Sequence, residues 1–185
     1  MNFITINWLT RSFYLLSLFI VYLIKMPILY FYILFFFISV EVLLFKKSKS
    51  ETKFFKFSQL FFTVFVSYVL FARAHIWGFS IETDYNLNTI EHIFFSLAIC
   101  LLIYFYTSFY SNKKMLNPIF FSVSIFNLIG LINEFFQNDY QGKSIFVLDE
   151  FSVKDLIVNA LGSIVFIIIM KFMTVRSSVL NNVKK

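Results

Sequence analysis

The chain has 185 residues, of which 59% are hydrophobic and only 14% are charged, and its mean hydropathy is +0.80. Soluble domains carry about 25% charged residues, so this composition excludes an ordinary soluble protein and indicates an integral membrane protein. The net charge of +6 does not predict a nucleic-acid partner, because the lysines cluster in a short loop between apolar segments and indicate membrane topology instead.

Six apolar segments follow one another along the chain, each close to the roughly 20 residues that a helix needs to cross a bilayer. They are residues 8–24, 27–45, 57–79, 90–110, 119–137 and 153–173. The pattern predicts an all-α, polytopic transmembrane helical bundle in which the whole chain, 1–185, is one membrane domain and 8–45 is an N-terminal helical hairpin. Five spans remain if the first segment is an interfacial helix whose Arg11 reaches toward the surface.

Basic residues collect on one side of this predicted bundle, chiefly in the loop 46–56, the turn 111–118 and the C-terminal tail. Because basic residues are retained on the cytoplasmic side, both termini are predicted to be cytoplasmic. We expect Glu41, near the same side, to pair with a nearby lysine or to reach the lipid headgroups. The single cysteine, Cys100, is expected to be a packing residue.

Polar residues gather at the opposite, outer ends of the last four spans. The candidate catalytic residues are His92, Glu134 and Asp155, and the candidate ligand-binding residues are Arg73, Gln137 and Asn159. A carboxylate at membrane depth costs roughly 2.5–3.5 kcal/mol, so it faces a partner or a wet cavity. Acids, an imidazole and a guanidinium at similar depth suit acid–base chemistry, a phosphate site or a proton relay, and they equally suit hydrogen bonding between helices.

Three motifs occur in a fixed order in the second half of the chain. They are the His in NTIEHIFF (His92), the E-x-x-Q of NEFFQ (Glu134 and Gln137) and the D-x-x-x-N-x-x-G of DLIVNALG (Asp155, Asn159 and Gly162). This ordered set resembles the VanZ-like family of small bacterial multi-pass membrane proteins over residues 86–166, the predicted VanZ-like core. The Asp-Lys that the family usually carries before its His is Asn88-Thr89 here.

The resemblance implies a protein of the bacterial inner membrane and cell envelope, in a family whose namesake is associated with teicoplanin resistance. The expected function is to bind or act on a lipid-linked or anionic ligand at the outer leaflet, with membrane lipid and a lipid-linked envelope precursor as partners. The alternatives are a small proton- or ion-coupled transporter or channel and a non-catalytic subunit of a membrane complex. Whether the site is enzymatic and whether the protein oligomerises stay open, and no motif predicts a metal or cofactor.

Overall fold

The structure is a computed structural model that describes residues 3–24, 27–46, 53–73, 85–110, 117–140 and 148–182. All regular structure within these ranges is α-helical, which confirms the predicted all-α class. The helices are α1 (Phe3–Ile24), α2 (Pro27–Lys46), α3 (Lys53–Arg73), α4 (Tyr85–Tyr110), α5 (Pro118–Tyr140) and α6 (Glu150–Asn182).

The helices coincide with the predicted apolar segments, but several extend into predicted loops. Helix α3 begins at Lys53, inside the predicted basic loop, and α4 begins at Tyr85, five residues before the apolar segment at Ile90. Helix α6 begins at Glu150 and continues to Asn182, through the first part of the predicted basic tail. The differences arise because hydropathy marks only the apolar part of a helix, whereas polar first and last turns are helical as well. The predicted end of the third span, residues 74–79, lies outside the described residues.

The chain divides into two compact units, Met1–Asn88 and Thr89–Lys185. In the first unit, α1 packs against both α2 and α3, and α2 packs against α3. The core of this unit is aromatic: Phe36 lies 5.8 Å from Phe65 and Tyr14 lies 5.5 Å from Phe37, measured between ring centroids. Large rings at successive turns fill the space between the three helices and account for the buried centre of the unit.

Glu41 is paired across the first unit rather than with a lysine. The Arg11 guanidinium donates two hydrogen bonds to its carboxylate, from Nε to Oε1 at 2.7 Å and from Nη2 to Oε2 at 2.8 Å. The expected lysine partner is therefore wrong. The antiparallel packing of α1 and α2 brings Arg11 beside Glu41, and a planar guanidinium matches a carboxylate with two parallel hydrogen bonds.

The second unit comprises most of α4 together with α5 and α6. A stripe of buried residues runs along α6 at helical spacing, through Ser152, Asn159, Ser163, Phe166 and Met170. Cys100 of α4 is fully buried, with its Sγ 4.0 Å from the Ser122 carbonyl oxygen. The inner faces thus combine apolar side chains with small polar ones.

The outward faces of the described helices are dominated by large apolar side chains. Exposed examples in the second unit are Phe120, Leu128, Phe136, Ile157, Leu161, Ile168 and Phe172. Three stretches are long and apolar enough to span a membrane, namely Thr89–Ser108, Pro118–Phe136 and Glu150–Met173. Within the described parts of α1, α2 and α3 the apolar stretches are shorter: Trp8–Leu23, Ile33–Leu43 and Ser58–Val69. The fold is therefore a helical protein with three helices suited to lipid contact on their outer faces.

Several hydroxyl side chains bond back to the carbonyl oxygen four residues earlier in their own helix. These are Thr63 to Gln59, Ser67 to Thr63, Ser96 to His92, Thr107 to Ile103, Ser122 to Pro118 and Ser163 to Asn159. Such a bond satisfies the hydroxyl hydrogen without any neighbouring helix.

Candidate functional site

The starts of α5 and α6 are fixed by side-chain caps. The Asn117 Oδ1 accepts a hydrogen bond from the Ile119 backbone N–H at 3.0 Å, and Pro118 occupies the first helical position, where its missing N–H costs nothing. The Asp149 Oδ1 accepts a hydrogen bond from the Ser152 backbone N–H at 2.8 Å. Because α6 starts at this cap, Asp155 and Asn159 follow on one face of its second and third turns.

His92 of α4 is in contact with two side chains of α6. Its Nδ1 lies 3.2 Å from the Asn159 Oδ1, and its Nε2 lies 3.5 Å from the Asp155 Oδ2. The Ser96 hydroxyl, one turn further along α4, lies 3.2 Å from the same Asn159 oxygen. The two residues that the sequence places at i and i+4 on α6 therefore engage both ring nitrogens of one histidine.

This geometry determines what the imidazole can do chemically. An amide oxygen can only accept hydrogen bonds, so with Asn159 oriented in this way the His92 Nδ1 carries a hydrogen and donates it. The Nε2 then faces the Asp155 carboxylate at ion-pair distance. An imidazole held at one nitrogen and paired with an acid at the other is suited to accepting and releasing a proton.

Glu134 of α5 is the second acid of the site and is only 3% exposed. Its carboxyl group lies close to the Ser152 and Asn133 side chains and within electrostatic range of Asp155 and His92. The site therefore has one carboxyl group in contact with the imidazole, that of Asp155, and a second one nearby. We refer to these five residues, His92, Ser96, Glu134, Asp155 and Asn159, as the His92 cluster.

A second polar contact joins α5 to α6 next to this cluster. The Asn127 Nδ2 donates to the Ser163 Oγ at 3.0 Å and to the Val123 carbonyl oxygen in its own helix at 2.8 Å. Ser163 follows Asn159 by one turn, so the polar face of α6 contacts α4 on one side and α5 on the other. This contact contains only amide and hydroxyl groups and holds no acid–base pair.

Two glycines flank the cluster and differ in the space around them. A Cβ atom at Gly162 of α6 would lie 2.5 Å from the Ser96 Cβ and 3.0 Å from the Ile93 carbonyl oxygen of α4. A Cβ atom at Gly130 of α5 would lie 3.5 Å from the Asn159 Nδ2, which is an ordinary contact distance. Of these two positions, Gly162 is the one at which the close approach of two helices requires the absence of a side chain.

The structure thus brings together four of the six predicted site residues: His92, Glu134, Asp155 and Asn159. Gln137 lies on α5 and Arg73 ends α3, and the side chains of both lie outside the described residues. Lys154, the residue before Asp155, forms an ion pair with Glu150 at 2.6 Å.

Sequence reasoning did not identify Ser96, which belongs to the His92 cluster, or Ser152, which lies close to Glu134. Ser96 follows His92 by four residues and so shares its helix face, and Ser152 falls in the capped first turn of α6, three residues before Asp155. Spacing from an already suspected residue would have identified both. In the described parts of the chain, no group of three or more His, Cys, Asp or Glu residues is arranged to hold a metal ion.

Compared with protein-family models, curated proteins and solved structures, the chain matches none. The VanZ-like resemblance therefore continues to rest on the three motifs and their order.

Proposed function

We propose that this is a VanZ-like membrane protein of the bacterial cell envelope that binds or acts on a lipid-linked ligand at the His92 cluster. In this proposal all six helices cross the inner membrane with both termini in the cytoplasm, and the cluster opens toward the outer leaflet. The observation that carries the proposal is the engagement of both His92 ring nitrogens by Asn159 and Asp155, beside the buried Glu134. The apolar outer faces of the helices support the membrane setting.

The chemistry of the cluster favours a ligand group that can exchange a proton. His92 and the two carboxyl groups can take a proton from a hydroxyl or amine of the ligand and return it, as in general acid–base catalysis. An anionic part of the ligand would need a cation beside it, and the nearest described one along α6, Lys154, is paired with Glu150. We therefore propose that the neutral, hydroxyl- or amine-bearing part of a lipid-linked envelope precursor meets the His92 cluster.

Acid-to-amide substitutions test this proposal in cells. Glu134→Gln and Asp155→Asn keep the size of each side chain and remove its ability to bind or release a proton, so we expect neither to restore teicoplanin tolerance or envelope integrity to a deletion strain. The matched control is Glu150→Gln, because Glu150 is 80% exposed and its described ion pair is with Lys154. We expect the control to complement fully. Complementation by both site variants, at equal protein levels, would contradict the proposal.

A proton-coupled transporter is the second candidate, and the same pairing favours it. An imidazole in contact with one carboxyl group and near another within apolar helices is the type of arrangement that relays protons. In proteoliposomes carrying a pH-sensitive dye, a transporter would show proton flux that Asp155→Asn abolishes and Glu150→Gln leaves unchanged. Absence of flux at every pH tested would exclude proton conduction and leave the ligand-binding proposal in place.

A further inference from the structure

We propose that Gly162 is the positioning residue of the His92 cluster. Its missing side chain sets the separation of α4 and α6 at which Asn159 and Asp155 reach both ring nitrogens of His92. The inference deepens the proposed function and rests on it for its biological consequence. The geometry that supports the inference and the experiment that tests it do not depend on any activity.

The contact at Gly162 is tighter than any side chain allows. An added Cβ would meet the Ser96 Cβ at 2.5 Å and the Ser96 Oγ at 2.9 Å, and it would press on the Ile93 carbonyl oxygen at 3.0 Å. The carbonyl belongs to the helix backbone and cannot rotate away. A methyl group at position 162 therefore forces α6 away from α4.

The contact between Gly162 and Ser96 lies directly beside His92. Ser96 follows His92 by one turn, and Gly162 lies three residues after Asn159, on the same side of α6. The contacts that depend on this spacing are long for their type: 3.2 Å from Asn159 Oδ1 to both Ser96 and His92, and 3.5 Å from Asp155 to His92. A small outward shift of α6 breaks the two hydrogen bonds, which are already at the long end of their range, and lengthens the contact between Asp155 and His92.

Gly130 provides the matched comparison. It also lies within a helix next to Asn159, yet a Cβ there would meet the Asn159 Nδ2 at 3.5 Å and the Leu156 Cδ2 at 4.0 Å, which are ordinary contacts. Ala has a higher helix propensity than Gly at either position. The two substitutions therefore differ in the crowding between α4 and α6 and not in intrinsic helix formation.

The test uses the full-length protein with His75→Gln, because the chain has two histidines and His92 is then the only imidazole. Its ring nitrogens are labelled with ¹⁵N, and their chemical shifts and the exchange of the ring N–H with water are measured in lipid nanodiscs. We expect Gly162→Ala to accelerate this exchange about tenfold and to move both shifts toward those of a solvated histidine, because the ring has lost its partners. Gly130→Ala is expected to match the parent protein.

A compensating change distinguishes positioning from a general loss of structure. Ser96→Gly removes both side-chain atoms that the new methyl group would meet, so Gly162→Ala with Ser96→Gly is expected to return the shifts toward those of Ser96→Gly alone. If Gly162→Ala by itself does not yield folded protein, recovery of folded protein by the double variant supports the inference, and failure of that recovery overturns it.

Two further results would overturn the inference: parent-like His92 shifts in Gly162→Ala, or equal effects of Gly130→Ala and Gly162→Ala. Neither result bears on the proposed function, which is tested by the acid-to-amide variants in cells. Loss of complementation in those variants, together with parent-like His92 shifts in Gly162→Ala, would support the proposed function and contradict only the role of Gly162.

Discussion

Asn159 and Asn127 show two ways in which an amide side chain is satisfied between helices. Asn127 donates to Val123 in its own helix as well as to Ser163, so part of its hydrogen bonding does not depend on the neighbouring helix. All the described hydrogen bonds of the Asn159 side chain are to α4, and they are made to His92 and Ser96. The same residue type therefore has a larger role in packing at position 159.

We predict that Asn159→Leu lowers the free energy of unfolding more than Asn127→Leu does. The first change leaves the His92 Nδ1 without its described partner. An unsatisfied buried group costs about 1–3 kcal/mol, and we expect a loss at the lower end of that range because the His92 side chain is 24% exposed. The second removes one interhelical bond, worth about 0.6 kcal/mol on average in membrane proteins. Unfolding titrations in mixed micelles measure both values. Equal losses would show that Asn159 contributes no more than an ordinary interhelical contact.

The sequence allowed part of this site to be predicted. Helical spacing places Asp155 and Asn159 on one face of α6 in any helix, so their common face followed directly from their positions. Spacing within one helix says nothing, however, about which neighbouring residue Asp155 and Asn159 contact. His92 lies next to Asp155 because of the register between α4 and α6, and the close contact at Gly162 sets that register.

At the scale of helices, the ion pair between Arg11 and Glu41 joins α1 to α2. Each charge lies in a largely apolar segment, and the two side chains are only about one-third exposed, at 37% and 32%. Two opposite charges held in a bidentate contact make the helix pair less costly to place near lipid than either helix alone. The sequence suggested a lysine partner for Glu41 because lysines are its neighbours in the chain, whereas the contact spans thirty residues.

We predict that Arg11→Leu and Glu41→Leu each destabilise the protein and that the double variant is more stable than either. Each single change leaves an unpaired charge between apolar helices, at a cost of about 2.5–3.5 kcal/mol at full membrane depth and less near the surface. The double change removes both charges. Thermal unfolding of the three variants in the same detergent tests the prediction. If the losses of the single variants simply add in the double variant, the two side chains are not energetically coupled.

Helix ends were the part of each element that the apolar pattern located least well. Hydropathy placed the start of the last span at Val153, whereas the cap at Asp149 starts α6 three residues earlier. The signal was present in the sequence as Asp149 followed by Glu150 in the first turn, where an acid is favoured by the helix dipole. Pro27 did mark the start of α2, because proline is well tolerated at the first helical position.

At the scale of the whole molecule, the described members of the His92 cluster all belong to the second compact unit, Thr89–Lys185. This unit has its own buried core, which includes Phe105, Phe126 and Phe166. The first unit has a separate aromatic core around Tyr14 and Phe36. The site therefore draws its described contacts from within one unit.

We predict that the site forms when the chain is divided within residues 74–84 and both fragments are coexpressed. Ser96→Cys and Asn159→Cys, in a Cys100→Ser background, replace two side chains that are in contact, so oxidation is expected to join them equally well in the divided and the intact protein. Mass spectrometry of native membranes measures the disulfide. Asn159→Cys alone is the control, and loss of the disulfide only in the divided protein would show that the second unit depends on an unbroken chain.

The hydroxyl groups that bond back within their own helices imply an order of events during biogenesis. Ser96, Ser122 and Ser163 have their hydrogens satisfied as soon as their helices form, so α4, α5 and α6 can each enter a bilayer during synthesis without waiting for a neighbour. The described bonds of the Asn159 side chain are made to α4, so they form only when α4 lies beside α6. Lateral association of already inserted helices then completes the His92 cluster, which makes it a late product of maturation and a point at which quality control could distinguish assembled from unassembled protein.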